Sequence, residues 1–594
     1  MRIWSRKTLL LFLVMSVVIG TASCVSTQEK SESESASQVS ESVANDETTG
    51  LTGLEEEAVG TAIVWEDTVL EALVRQGLEK PDGDIYPSDL AEIRSLCIWG
   101  NGLIYIDDEV MTNATAIEDL VLRCKSLLGQ SLDLEGLDQG ISEKIIEAHF
   151  WRAGENGRIK KLTDLVHFPS LEVLVLSRQS ISEVSGVQDL ENLRVLDLSY
   201  NTIVGVDGLS NLSKLENLSL VGNRLLLYEP LSSLVNLREL TVESPLIEDV
   251  DFLSPLAKMQ YLGITGTYLT DLQGLSTMEN LLFLDITAGK LTSADALGGL
   301  TNLQELRMNC MMLENIEGFS SLTNLEKLSF STNQKLDLQP LSGLLKLQDL
   351  TVFIACGKPG GPVDLTPLAG LSELTNLYLL DMGLEKGYED VLANLPNLRT
   401  LGFGTPDEKL DFLVRLENLE FLYLTLYGYS APPDLHPISQ MTNLKHLDLL
   451  SDSIDDIGPI ASLENLNSLI LSCSELTDLT PLAGLVNLEE LYLQEMYDIS
   501  DAQVVGELSN LKTLYISSLN ADDFHFLEKL LNLQELLIGT RGESSFIWQD
   551  ILELPNLQMV QIDDKTLEMD EDVFAALSGL RYVRVNGKVI SEVD

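Results

Sequence analysis

The chain has 594 residues, of which 38 are Lys or Arg and 92 are Asp or Glu, giving a formal net charge of −54. Such a polyanion gains nothing by displacing counterions from nucleic acid and is repelled by anionic lipid, so neither is expected to bind the folded body. With 45% apolar but only 6% aromatic residues, the core must be aliphatic, and a chain this long divides into several domains unless it is a repeat whose core grows in one dimension.

Arg2, Arg6 and Lys7 precede an apolar run from Leu9 to Ile19, which has the length of a signal-peptide core and is short for a membrane span. Gly20-Thr21-Ala22-Ser23-Cys24 follows. These residues resemble a bacterial lipoprotein cleavage box, with Thr21 where that box usually carries Leu. The resemblance implies that residues 1–24 are a signal and that Cys24 becomes the lipid-modified first residue. Cleavage after Ala22, with Gly20 and Ala22 as the small pair, also fits and would give a secreted chain. Residues 25–58 are rich in Ser, Thr and Glu and have too little to bury to fold. A disordered tether of this kind suits a lipid anchor and favours Cys24 as the modified residue. The body is therefore expected outside the cytoplasm, on a bacterial surface, held to the membrane only through its N-terminus.

Five cysteines remain, Cys97, Cys124, Cys310, Cys356 and Cys473. Their odd number and wide spacing make no disulfide framework, and no CxxC pair offers a zinc site. They are expected to be small buried residues.

Residues 59–92 read as an N-terminal helical cap. Over 65–80 an amphipathic helix is predicted, with Val69, Leu70, Leu73, Val74 and Leu78 on one side, then a turn at Pro81-Asp82-Gly83. Residues 93–165 read as degenerate repeats. Leu90, Ile93, Leu96 and Ile98 suggest a first strand, Ile117 to Leu122 a second, and Ile159, Leu162, Leu165 and Phe168 a convex segment whose strand precedes them.

From residue 166 to 594 the pattern becomes regular. The motif Leu-x-x-Leu-x-Leu begins at Leu171, Leu193, Leu215, Leu237, Met259, Leu281, Leu303, Leu325 and Leu347, in steps of 22 residues. An insertion around 355–362 breaks the beat. The motif then resumes at Leu377, Leu398, Leu419, Leu444, Leu466, Leu488, Leu511, Leu533, Leu557 and Leu580, for nineteen copies. The alternating leucines have strand period, and the apolar group that returns after them (Ile203, Val206, Leu209) has the period of a 3₁₀-like turn. One copy cannot bury its own leucines, so copies must stack into a parallel sheet, on the order of 90 Å long at the usual strand spacing. The pattern resembles the leucine-rich repeat family, and continuations such as Leu476-Thr-Asp-Leu-Thr-Pro-Leu482 are similar to bacterial internalin-type repeats. The resemblance implies an α/β leucine-rich repeat solenoid, a curved right-handed parallel β superhelix with an irregular 3₁₀ convex side, an N-terminal helical cap and a closing strand at Leu580 to Val585.

Asn precedes the first Leu of the motif in fourteen of the nineteen copies, from Asn192 to Asn556. These side chains are expected to satisfy turn amides between coils rather than to bind ligands.

The sequence holds no phosphate loop, no nucleophile elbow, no HExxH and no calcium loop. Neither an enzyme nor a cofactor nor a metal site is expected. Pairs such as Asp455-Asp456 and Asp522-Asp523 read as solvated loops.

The x positions of the motif should line the concave sheet. Early copies offer small or mixed groups there, Val173, Val175, Asp197, Ser219, Thr241 and Gly263. From residue 419 onward they offer Phe421, Tyr423, His446, Tyr492 and Tyr515, with Tyr427 just beyond its strand and Asp448 and Glu490 interleaved. Aromatic anchors of this kind are what interfaces enrich. Tyr261 and Phe283 form a second, smaller candidate. The resemblance implies recognition of a protein ligand, whose surface should be basic or neutral to meet this acidic face. A structural or carbohydrate-binding role in the cell envelope is the alternative, weakened by the lack of Trp at the regular concave positions.

Overall fold

A computed structural model of the chain describes residues 61–99, 102–107, 157–355, 361–405, 410–427, 432–496, 499, 502–519, 524–540, 548–563 and 571–592. Cys24, the tether, the strand expected over 117–122, Cys124, Cys356 and Asp522-Asp523 lie outside the described residues.

One 22-stranded sheet runs through these residues. Strand β1 (Ser95–Trp99) pairs in parallel with β3 (Val173–Ser177), and each later strand pairs in parallel with the next as far as β21 (Tyr582–Val585). Since β1 lies directly against β3, no parallel strand intervenes between them. The convex segment at Ile159, Leu162, Leu165 and Phe168, all buried, thus completes the coil that β1 begins. Among the described residues both edges of the sheet are formed by an antiparallel strand. At one end β2 (Gly102–Asp107) folds back on β1, and at the other β22 (Lys588–Glu592) folds back on β21. The closing strand is therefore β22 rather than 580–585. Its hairpin turns at Asn586 (φ 49°) and Gly587 (φ 78°), the Asn-Gly pair that a two-residue primed turn demands.

The motif leucines form one continuous core from Leu70 to Val585. The strands send their motif leucines inward, and most convex connections add a short 3₁₀ turn such as Asp207–Leu209 or Gln273–Leu275, with α-helical turns in its place at Tyr388–Leu392, Gln549–Leu552 and Glu571–Leu577. The Asp of the Asp-x-x-Pro-Leu continuation is explained by these turns. Asp478 accepts from the Thr480 backbone N–H at 2.8 Å, Asp364 from that of Thr366 at 2.8 Å and Asp456 from that of Gly458 at 2.7 Å. Each is an Asx turn that opens the 3₁₀ segment.

The Asn column is an interlocking rim. In thirteen copies the side-chain amide donates to a carbonyl of the preceding coil at 2.7–3.1 Å. The partners are carbonyls on an exposed edge, not the buried amides anticipated. Where Lys takes the slot, as at Lys214, Lys258 and Lys346, its ammonium donates to the Asn Oδ1 of the previous coil at 2.6–2.8 Å.

Asn376 is the exception, and it exposes a register error. Leu350 pairs with Leu377, so the copy after the insertion starts at Leu374, not Leu377. Leu371, Leu374 and Leu377 are equally spaced, but only Leu374 is followed by Leu at both later positions of the motif, Leu377 and Leu379, and the strand pairing agrees. Asn376 consequently sits on the sheet, where its amide donates to the Asp349 carboxylate of the neighbouring strand.

At the N-terminal end the helix spans Thr68–Gly77 and buries Leu70, Leu73 and Val74. Asp67 caps it, accepting from the Val69 and Leu70 N–H groups at 3.0 and 3.1 Å. The same carboxylate accepts from the Lys160 and Lys161 N–H groups at 2.8 and 3.1 Å, and Asp164 reciprocates by accepting from the Asp67 N–H at 2.8 Å. Gly186, at φ +111°, brings the next coil onto this junction; a Cβ there would lie 2.2 Å from the Leu162 carbonyl oxygen.

Candidate functional site

Each candidate ring occupies an alternate position on a strand whose intervening leucines are buried. Phe421 and Tyr423 lie on β14 (Phe421–Leu426), His446 and Asp448 on β15 (His446–Ser451), Glu490 and Tyr492 on β17 (Glu490–Gln494), and Tyr515 on β18 (Thr513–Leu519). All are half-buried on the face opposite the core.

The structure divides these residues into two groups rather than one patch. In the first, the Tyr423 ring lies 4.8 Å from His446, and Phe421 lies 6.2 Å from His446, centroid to centroid. In the second, Tyr492 and Tyr515 lie 6.1 Å apart. Strand β16 (Ser468–Ser472) separates them, with Ile470 in register between Asp448 and Tyr492. Tyr427 follows β14 as an exposed residue.

Tyr378 was missed by the sequence reading and belongs to the first group. It lies on β12 (Asn376–Leu380), in register with Gly402 of β13 (Thr400–Thr405), which in turn is in register with Tyr423. Gly402 makes the contact feasible. A Cβ there would meet the Tyr378 ring at 2.5 Å, so only glycine lets that ring lie across the strand, 5.6 Å from Tyr423. The signal was the Leu374 register, which the spacing of the leucines hid.

The electrostatics follow from packing. Burial alone pushes the Asp448 carboxyl up to about 7 and the His446 imidazole down to about 4. Burial first, and then the nearby Glu490 and Glu535 carboxylates, raise the Tyr492 phenol. Burial thus favours the neutral form of the His446 imidazole, whose Nε2 is buried without a hydrogen-bond partner.

The smaller candidate is built differently. Tyr261 and Phe283 stack at 4.2 Å with their planes 2° apart. The Arg307 guanidinium covers the Phe283 ring at 5.1 Å and reaches Glu305 at 2.6 Å. The Phe283 ring is thus covered by the protein's own cation and by Tyr261.

The early concave positions depart from expectation. Val173, Val175 and Asp197 are buried, the valines in register with Ser95, Cys97, Val195 and Asp197 of the flanking strands. Asp197 accepts from the Ser177 hydroxyl at 2.7 Å and the Ser199 N–H at 2.8 Å. Cys97, Cys310 and Cys473 are buried. Among the described residues no three His, Cys, Asp or Glu side chains converge as a metal site, and no helix is long and apolar enough to cross a membrane.

A leucine-rich repeat family model matches residues 169–225, the segment where the strand, 3₁₀ turn and Asn rim first recur together. The fold is a leucine-rich repeat solenoid. Similar solved structures include an internalin, InlF, of Listeria monocytogenes, 25% identical over 62% of this chain and 92% of that one, with a TM-score of 0.36. A leucine-rich repeat protein of Leptospira interrogans is 21% identical over 64% of this chain and 98% of that one, with a TM-score of 0.48. The ectodomain of the Arabidopsis thaliana receptor kinase GASSHO1 is 18% identical over 72% of this chain and 56% of that one, with a TM-score of 0.41. No curated protein sequence matches this chain. The sheet face that carries Tyr378, Tyr423, His446 and Asp448 is the concave face of this solenoid.

Proposed function

We propose that the protein is a binding module that captures a protein partner on the concave face of its solenoid, and that it is displayed outside the cytoplasm on a lipid anchor at Cys24. One observation carries the binding reading. Tyr378, Tyr423, Phe421 and His446 form a contiguous half-buried group on a rigid sheet, and Tyr492 with Tyr515 forms another beside it. Large rings held this way bury area on contact at little entropic cost. The surroundings are acidic, so the partner surface is basic or neutral, and association slows as salt rises.

Replacing Tyr423, Tyr492 and Tyr515 together by Ala removes rings and leaves the flanking core leucines in place. The triple variant should melt like the wild type. It should bind a partner recovered by pull-down on the tether-free body about thirtyfold or more weakly, the effect of losing a single strong anchor. Unchanged affinity in the folded variant would move the site off this face.

The anchoring reading has its own test. Stable attachment needs more than one acyl chain, which a lipid-modified N-terminal Cys supplies. Cys24→Ala should shift the protein from the membrane to the soluble fraction. Membrane association at the wild-type level would remove the lipoprotein reading and leave the binding face untouched.

A further inference from the structure

We propose that Tyr423, His446 and Asp448 form a receptor for an arginine side chain of the partner. This rests on the concave-face reading above and specifies its chemistry.

The first observation is an unpaired carboxylate beside a buried ring nitrogen that has no partner. Among the described residues Asp448 has neither a hydrogen-bond donor nor a cation, although its neighbours crowd it closely enough to raise its carboxyl to about 7. Its register partners are Tyr423 on β14 and Ile470 on β16. Two residues away on the same strand, His446 Nε2 is buried and also without a partner. The imidazole nitrogen is sealed from water, and a buried polar atom left this way costs free energy until it finds a partner, while the half-buried carboxylate beside it stays open to a donor.

The second observation is that elsewhere the protein sets a guanidinium of its own beside the equivalent carboxylate, where it pairs with the adjacent Glu305. On β8 (Phe283–Ala288), Phe283 and Asp285 occupy the two positions that His446 and Asp448 occupy on β15. There the next strand supplies Arg307 in register with Asp285, and the guanidinium lies 5.1 Å over the Phe283 ring. Its charge opposes the burial of Asp285, whose carboxyl stands at about 6. At β15 the residue in register with Asp448 is Ile470. The carboxylate and the rings are present and the internal guanidinium is missing.

A guanidinium fits what remains. It has donors only, matching the carboxylate and, with the imidazole proton on Nδ1, the His446 Nε2; its plane stacks on a tyrosine face, and it is more weakly hydrated than an ammonium when drawn into a half-dry site. Binding it favours the ionised Asp448, so capture releases a proton and strengthens as pH rises. The titratable groups facing Asp448 are Tyr423 on β14 and His446 on its own strand. Ser468, Ile470 and Ser472 of β16 contribute none, and Glu490 and Tyr492 lie one strand further on.

The test uses the full chain and three blocked hexapeptides, (Gly-Arg)₃, (Gly-Lys)₃ and (Gly-citrulline)₃, titrated in physiological salt. At pH 8 the arginine peptide should bind at least about tenfold more tightly than the citrulline one. Asp448→Asn should remove that advantage and flatten the tightening between pH 6 and 8. Asp455→Asn, on an exposed convex loop, should change neither. Equal binding of the lysine peptide, or equal losses in both Asn variants, would overturn the arginine receptor in favour of general attraction to an acidic body. If the recovered protein partner is lost by the triple tyrosine variant but held fully by Asp448→Asn, the docking face stands and the arginine receptor falls. If the triple variant keeps that partner, the docking face falls whatever the peptides do.

Discussion

Asp67→Ala is expected to release the N-terminal helix from the solenoid. One carboxylate, only 7% exposed, accepts four backbone N–H groups, two from its own helix (Val69, Leu70) and two from the first convex segment (Lys160, Lys161). Asp164, 3% exposed, accepts in return from the Glu66 and Asp67 N–H groups. Truncation leaves four donors unpaired in a place that water reaches poorly. Each charge-assisted bond is worth about 1.5–3 kcal/mol, and the four act as a unit, so a loss of about 3 kcal/mol or more is expected. Because solenoid coils touch only their neighbours, the damage should stay local. Amide exchange at Val69, Leu70, Lys160 and Lys161 should accelerate at least about a hundredfold, while amides of the central strands keep their protection. Asp67→Asn keeps one acceptor oxygen and should fall between. Undisturbed exchange at these four amides would show that the junction is held by apolar packing alone.

The second large effect is a cancellation that single substitutions uncover. Asp448 has an ordinary value of 3.8 and is raised to about 7 by burial. The folded state therefore holds a proton that the unfolded state loses. Its contribution to stability is complete below about pH 4 and is lost as pH rises to about 7. His446 moves the other way, from 6.5 down to about 4. Its contribution is complete above about pH 6.5 and is lost as pH falls through 4. Each shift corresponds to a few kcal/mol, on the order of 3. Between pH 4 and 6.5 the two slopes oppose, and the wild type hides both. Asp448→Asn should leave His446 exposed as a loss of stability on acidification. His446→Gln should leave Asp448 exposed as a loss of stability on raising the pH. Denaturant unfolding of both variants at several pH values reads the difference directly, since every other carboxylate is common to them. Parallel profiles would mean that neither group titrates out of its ordinary range.

The fold was legible because the leucine pattern repeats the same physical constraint in every copy. A strand-period pair followed by a returning apolar group leaves only stacking as a way to bury both. What obscured the register was the run of leucines three apart after the insertion. Leu374, Leu377 and Leu379 satisfy the motif in full, but the later start at Leu377, with Met382 in its last position, hid Tyr378, the ring that crosses Gly402 to reach Tyr423. The C-terminal hairpin was readable in Asn586-Gly587, yet a search for parallel copies stops at β21. The rings of the site were legible as alternate residues on strands. Their division by Ile470 was legible in the same way, since it is the concave x position of the copy that begins at Leu466. The depth of Asp448 was not, since alternation says only which way a side chain points, not how closely its neighbours stand around it.

The two antiparallel strands that finish the sheet have a consequence for the ancestry of the chain. Between them, every coil presents the same pair of edges to its neighbours, so excising or duplicating one 22-residue step in the regular stretch rejoins like to like. The interior can lengthen or shorten by whole coils through slippage in the coding repeats. The ends are outside that exchange: β2 and β22 run against the grain of the array, and no interior coil can replace either one.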